Sequence, residues 1–125
     1  MSVASRALRI TSEMKVHDDV SLEELRDIVT AVARSTESEP GDHNRGHNFY
    51  LDEENRLLFA HEHYRDAAGM LQHLEEMDQE TVARLMASVD VVDLRVYGEP
   101  NEKLTVLLSG FGEARYFDFI DGFVR

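Results

Sequence analysis

The sequence predicts an α+β fold, one antiparallel sheet carrying its helices on a single face. Three observations predict it: period-two strand patterns near both ends, apolar stripes at helical spacing between them, and an aromatic-rich hairpin in the middle.

From Leu8 the apolar positions Leu8, Ile10, Met14 and Val16 alternate with Arg9, Thr11, Glu13 and Lys15, so the first strand buries one face. Ser21 followed by Glu24 forms a capping box, in which the serine oxygen accepts an orphan helix N–H and the glutamate reaches back. Leu22, Leu25, Ile28, Val29 and Val32 then place a helix stripe that runs to about Ser35, and Glu39-Pro40-Gly41 breaks it. Residues 43 to 64 read as two strands around the polar turn Asp52-Glu53-Glu54-Asn55. Asp66 caps a second helix with Ala67, Met70, Leu71, Leu74 and Met77 on one face, and Asp78 restarts a helix with Val82, Leu85, Met86 and Val89. Val92, Leu94 and Val96 alternate with Asp93, Arg95 and Tyr97 in a last long strand ended by Gly98 and Pro100. A short helix from Asn101 through Leu108 and an aromatic arm, Tyr116, Phe117, Phe119 and Phe123, follow.

The order strand, helix, strand, strand, helix, strand is the split βαβ arrangement of ferredoxin-like folds, with one extra helix before the last strand. The helices cover one sheet face. The other is too apolar to stay bare, so a homodimer through that open face is expected. The polar Asp93, Arg95 and Tyr97 face of the last strand suits a solvated or interface ladder on an edge strand better than a pocket lining, and the arm is expected to pack on the partner or across a pocket mouth.

The 125 residues fit a single domain over 1–125, with a core at about 8–100 and the short helix and arm at 101–125. The 25 acidic against 13 basic side chains give a net charge of −12, which disfavours nucleic acid and anionic membrane surfaces as partners. There is no cysteine, hence no disulfide, no thiolate metal site and no cysteine nucleophile. The start of the chain lacks the unbroken apolar stretch of a secretory signal, and a cytoplasmic location is expected.

Glu39-Pro40-Gly41 before a strand, Glu62-His63-Tyr64-Arg65-Asp66-Ala67-Ala68 running into a helix with Leu71-Gln72-His73-Leu74, and Val96-Tyr97-Gly98-Glu99-Pro100 together resemble the antibiotic biosynthesis monooxygenase and quinol monooxygenase family. The resemblance spans about residues 8 to 100. It implies a dimeric α+β barrel with a pocket in each protomer, and oxidation of a quinol- or anthrone-like aromatic molecule by O₂ without cofactor. The protein's part in such a reaction is to bind the ring, remove a proton and stabilise the anion. Family members commonly carry a tryptophan two residues after the glutamate of the third strand. Here Tyr64 stands in its place, there is no tryptophan in the chain, and Ala60 replaces the asparagine of some catalytic members.

If the hairpin closes symmetrically about Glu53 and Glu54, Phe49 opposes Leu58, His47 opposes Ala60, Arg45 opposes Glu62 and His43 opposes Tyr64. By the family resemblance this is the cavity face. The expected catalytic groups are then His47 as base, because an imidazole is suited to take a phenolic proton near neutral pH, Arg45 as anion clamp, and Tyr64 against the ring. His43, Phe49, Ala60, Glu62 and, from the second helix, His73 are the expected substrate contacts. An ordinary Arg45–Glu62 cross-strand pair is the competing reading. The strand histidines 43, 47, 61 and 63 suggest a metal, but this register leaves at most two on either face, so neither metal nor cofactor is expected. The alternative to an enzyme is a dimeric module that binds a small ligand without turning it over.

Overall fold

The computed structural model describes residues 2–125. After a single helical turn, α1 (Val3–Arg6), come β1 (Leu8–Val16), α2 (Leu22–Glu37), β2 (Asn44–Asp52), β3 (Leu57–Tyr64), α3 (Ala67–Glu76), α4 (Gln79–Ser88), β4 (Val89–Tyr97), α5 (Glu102–Leu108) and β5 (Ala114–Phe117). The sheet order is β2-β3-β1-β4-β5. Its first four strands are antiparallel neighbours, as the split βαβ order requires.

Local chemistry starts each helix where the sequence places it. The Ser21 hydroxyl accepts the Glu24 N–H at 3.0 Å, the Asp66 carboxylate the Gly69 N–H at 2.8 Å, and the Asn101 side chain the Leu104 N–H at 2.8 Å. Strand alternation then decides the faces. Leu8, Ile10, Met14 and Val16 of β1 are buried, as are Leu58, Ala60 and Tyr64 of β3, all turned toward the helices. The core forms two clusters. One joins Met14, Leu58 and Ala60 to Leu25, Ile28 and Val32 of α2 and Leu85 of α4; the other joins Leu8, Ile10, Tyr64, Leu94 and Val96 to Met70 of α3 and Leu104 of α5.

The hairpin register differs from the symmetric closure by two residues: Phe49 lies opposite Ala60 and His47 opposite Glu62. Asp52 does not pair with Asn55 across the ladder. Its carboxylate instead accepts the Asn55 backbone N–H at 3.1 Å and the Asn55 side-chain N–H at 2.9 Å, and Arg56 takes a left-handed φ of 54°, which lengthens the turn. A shift of two leaves every side chain on its expected face. A bulge between Asn44 and Gly46 then breaks the alternation, and Arg45 is exposed.

The C-terminal region corrects a second expectation. β4 is not the sheet edge, because Ala114–Phe117 adds a fifth strand parallel to it. Arg115 lies beside Arg95 in that register, and Asp93 bridges both guanidinium groups at 2.8 Å. The Tyr97 and Phe117 rings stack with centroids 5.3 Å apart. Beyond β5 the arm leaves Ile120 93 % and Phe123 75 % exposed. Among the described residues no helix is long and apolar enough to cross a membrane.

Candidate functional site

Where the two core clusters meet, between the sheet and α2, α3 and α4, they leave a cavity of about 110 Å³. Most of its wall is apolar, with Phe49 and Ala60 from the hairpin, Leu94 from β4 and Met70, Met77 and Met86 from the helical side. Unbranched methionine chains yield easily, so this wall adapts to an occupant. The hairpin and α3 bring the polar groups, His47, Glu62 and His73.

His47 and Glu62 meet because they pair across β2 and β3, with the imidazole Nδ1 3.8 Å from Glu62 Oε1. The Tyr64 hydroxyl donates to that same oxygen. Burial, together with the negative charge of Glu62, pushes the Tyr64 phenol well above its ordinary value of 10.0, which keeps it a proton donor. His47 goes the other way. Its side chain is 11 % exposed, and burial outweighs the opposing pull of Glu62 to hold its pKa below the ordinary 6.5. The neutral ring is therefore the working form, and its contact with Glu62 is a polar approach with no full ion pair.

His73 reaches the cavity from the middle of α3, and Gly69 permits that approach. A Cβ at Gly69 would lie 3.0 Å from the His43 carbonyl oxygen, so a larger residue would push the start of α3 away from β2. The His73 ring sits 5.5 Å from that of His47 and 5.6 Å from that of Tyr64, centroid to centroid. Behind it lies Glu39, whose two carboxylate oxygens are 2.9 and 2.8 Å from His73 Nδ1. Glu39 is 5 % exposed at the side chain and also meets His43 Nε2 at 3.2 Å. Its carboxylate thus fixes the ring of His73 and selects the nitrogen that faces away from it.

The structure gathers five of the expected residues, His47, Phe49, Ala60, Glu62 and His73, around the cavity. Tyr64 stands one layer back, fully buried behind Glu62. His43 is also buried, but it lines a separate groove and touches the site through Glu39. Arg45, turned out by the bulge, lines that same groove and does not reach the cavity; the expected Arg45–Glu62 juxtaposition is replaced by His47–Glu62. The sequence pattern does not single out Glu39 as a site residue. There it is the first member of a helix-breaking Glu-Pro-Gly that belongs to the family resemblance without a role of its own, and its link to His73 spans 34 positions.

No protein-family model and no curated protein matches the sequence. Solved structures do. MupZ from Pseudomonas fluorescens superposes with a TM-score of 0.75 at 22 % identity, covering 96 % of this chain and 95 % of that one. SnoaB, a cofactor-independent oxygenase from Streptomyces nogalater, superposes at 0.62 with 11 % identity, over 77 % of this chain and 95 % of that one. A candidate antibiotic biosynthesis monooxygenase from Chloroflexus aurantiacus gives 0.58 at 10 % identity, over 76 % and 94 %. At such identities the likeness is one of architecture. The chain has the α+β, ferredoxin-like fold of the antibiotic biosynthesis monooxygenase type, the fold that its sequence resemblance implies.

Proposed function

We propose that the protein binds a quinol- or anthrone-like aromatic molecule in the cavity and oxidises it with O₂ without a bound cofactor. The observation that carries this reading is an apolar chamber whose polar groups are a buried neutral imidazole, a carboxylate and a second oriented imidazole. In the reaction His47 takes the acidic proton of the substrate, and the imidazolium so formed is stabilised by Glu62 3.8 Å away. The substrate anion supplies the electrons that reduce O₂. In an anthrone one oxygen stays in the product as a carbonyl and the other leaves as water with the two hydrogens of the methylene carbon; in a quinol one oxygen stays on the ring and the other leaves as water with one ring hydrogen and one hydroxyl hydrogen. Phe49 forms part of the apolar wall for the ring, and His73, held by Glu39, is the second polar contact.

The active unit in this reading is a homodimer joined through the open sheet face, where Tyr50 and Val92 are exposed at 55 % and 58 %. The exposed apolar arm beyond β5 extends the same interface.

A second reading, a binding module without turnover, is favoured by Ala60 on the cavity wall and by Tyr64 sealed behind Glu62. An oxygen electrode with a panel of hydroquinones and anthrones separates the two. The enzyme consumes O₂ with at least one of them and loses that activity in a folded His47→Ala variant. Ligand-dependent thermal stabilisation with no O₂ uptake would select the binding module.

A further inference from the structure

We propose that the polar part of the cavity is a binding site for a divalent transition-metal ion, ligated by His47, Glu62 and His73, with Glu39 and Tyr64 orienting the ligands. One ligand atom from each of the three lies within 4.8 Å of the others, and His47 Nδ1 is 3.8 Å from Glu62 Oε1. Ligand atoms sharing an ion at bonds of roughly 2.0 to 2.2 Å stand about 3 to 4 Å apart, so closure needs side-chain movements of about 1 Å or less. His47 Nδ1 is buried and has no hydrogen-bond partner among the described residues, a costly arrangement that an ion would relieve.

The surrounding groups are those that a metal site requires. With His73 Nδ1 engaged by Glu39 at 2.8 Å, its Nε2 is the nitrogen left to bind an ion, the carboxylate–histidine–metal relation in which the outer carboxylate fixes ring and tautomer. The Tyr64 hydroxyl likewise holds one oxygen of Glu62. Charge points the same way. Glu39 and Glu62 are buried carboxylates whose close partners among the described residues are histidines and a tyrosine, with no lysine or arginine. A divalent cation would compensate both.

Two imidazoles and one carboxylate select zinc, cobalt or ferrous iron over magnesium or calcium, and the remaining coordination positions open onto the cavity. Counting only the strand histidines leads the sequence reading to expect no metal; here a single one of them, His47, is joined by Glu62 from the hairpin and His73 from a helix. The proposal goes beyond the oxidation reading and does not depend on it. A metal-bound imidazole nitrogen cannot take a proton, so His47 serves as base only in the ion-free site, and a bound ion would inhibit the oxidation.

The test uses tag-free, chelator-treated protein titrated with Co²⁺, read by its visible absorption, and with Zn²⁺, read by calorimetry. One ion per chain is expected. His47→Ala and Glu62→Gln should weaken binding by about 100-fold or more and Glu39→Gln by about 10- to 100-fold, with circular dichroism confirming each fold. His61→Ala, on the exposed opposite face, should bind as the parent does. Three results would overturn the proposal: no saturable binding by the parent, undiminished binding by folded His47→Ala and Glu62→Gln, or loss of binding on Glu76→Gln, which would place the ion in the neighbouring Glu39, His43 and Glu76 cluster. None of these measurements involves substrate or O₂: failure of ion binding leaves the oxidation reading untouched, and absence of O₂ uptake by the ion-free protein leaves the metal site untouched.

Discussion

The two faces of the β2–β3 hairpin carry nearly the same chemistry and live in different worlds. Toward the helices the hairpin presents His47, Phe49, Ala60 and Glu62; toward the open side it presents Asn48, Tyr50, Phe59, His61 and His63. His61 meets Tyr50 at a tilted angle with centroids 5.1 Å apart and is exposed, whereas His47 is largely enclosed between Phe49 and His73. An imidazole on the open side meets water or a partner sheet. On the helix side it meets carboxylates and a cavity, where burial changes its proton affinity and makes each polar contact consequential.

The largest expected effect in breaking this contrast comes from the histidines. His73→Ala strips the buried Glu39 of its shorter imidazole contact and should cost about 2 kcal/mol in urea unfolding, because only the 3.2 Å contact to His43 remains to that carboxylate. His61→Ala should stay within about 0.5 kcal/mol. Equal costs would mean that the Glu39–His73 contact contributes little to the fold. Next comes the open face. Tyr50→Asp should weaken the proposed self-association at least tenfold, about 1.4 kcal/mol or more, by burying a charge in that interface, with ligand binding in the cavity retained. Sedimentation at several concentrations reads this directly, and an unchanged association would exclude that face as the interface.

A smaller effect is expected inside. Ala60→Val adds two methyl groups to the cavity wall and should change stability by about 1 kcal/mol or less in either direction, while abolishing the thermal stabilisation that a bound ring confers. The smallest effect lies outside both faces. His17 Nε2 meets Asp90 at 3.0 Å, and that hydrogen bond raises the folded-state pKa of His17 above 6.5. A raised histidine contributes stability that is fully present below pH 6.5 and fades as pH climbs through the folded-state value. The difference in melting temperature between the parent and His17→Gln should therefore be largest in mild acid and vanish in mild alkali. A difference independent of pH would mean that the pair contributes nothing through its charge.

Much of this contrast is legible in the amino-acid pattern. Alternation from Leu8 to Val16 and through the hairpin assigns faces by parity, and parity survives a two-residue shift of register. His47, Phe49, Ala60 and Glu62 therefore share a face even though their cross-strand partners differ from those of the symmetric closure. Arg45 fails for the complementary reason. One extra residue in a bulge reverses parity, and nothing in Asn44-Arg45-Gly46 announces the bulge except a glycine.

Local pattern suffices for the faces of the first strand and the hairpin and for the capped starts of the helices at Ser21, Asp66 and Asn101, because each is a relation between residues a few positions apart. Long-range packing alone brings Glu39, just past the end of one helix, onto His73 in another, and adds the C-terminal arm to the sheet as a parallel strand. Those contacts arise where chain segments remote in sequence are pressed together by burial of their apolar faces. The local pattern encodes that each face must be covered; what covers it is settled by the packing of the whole.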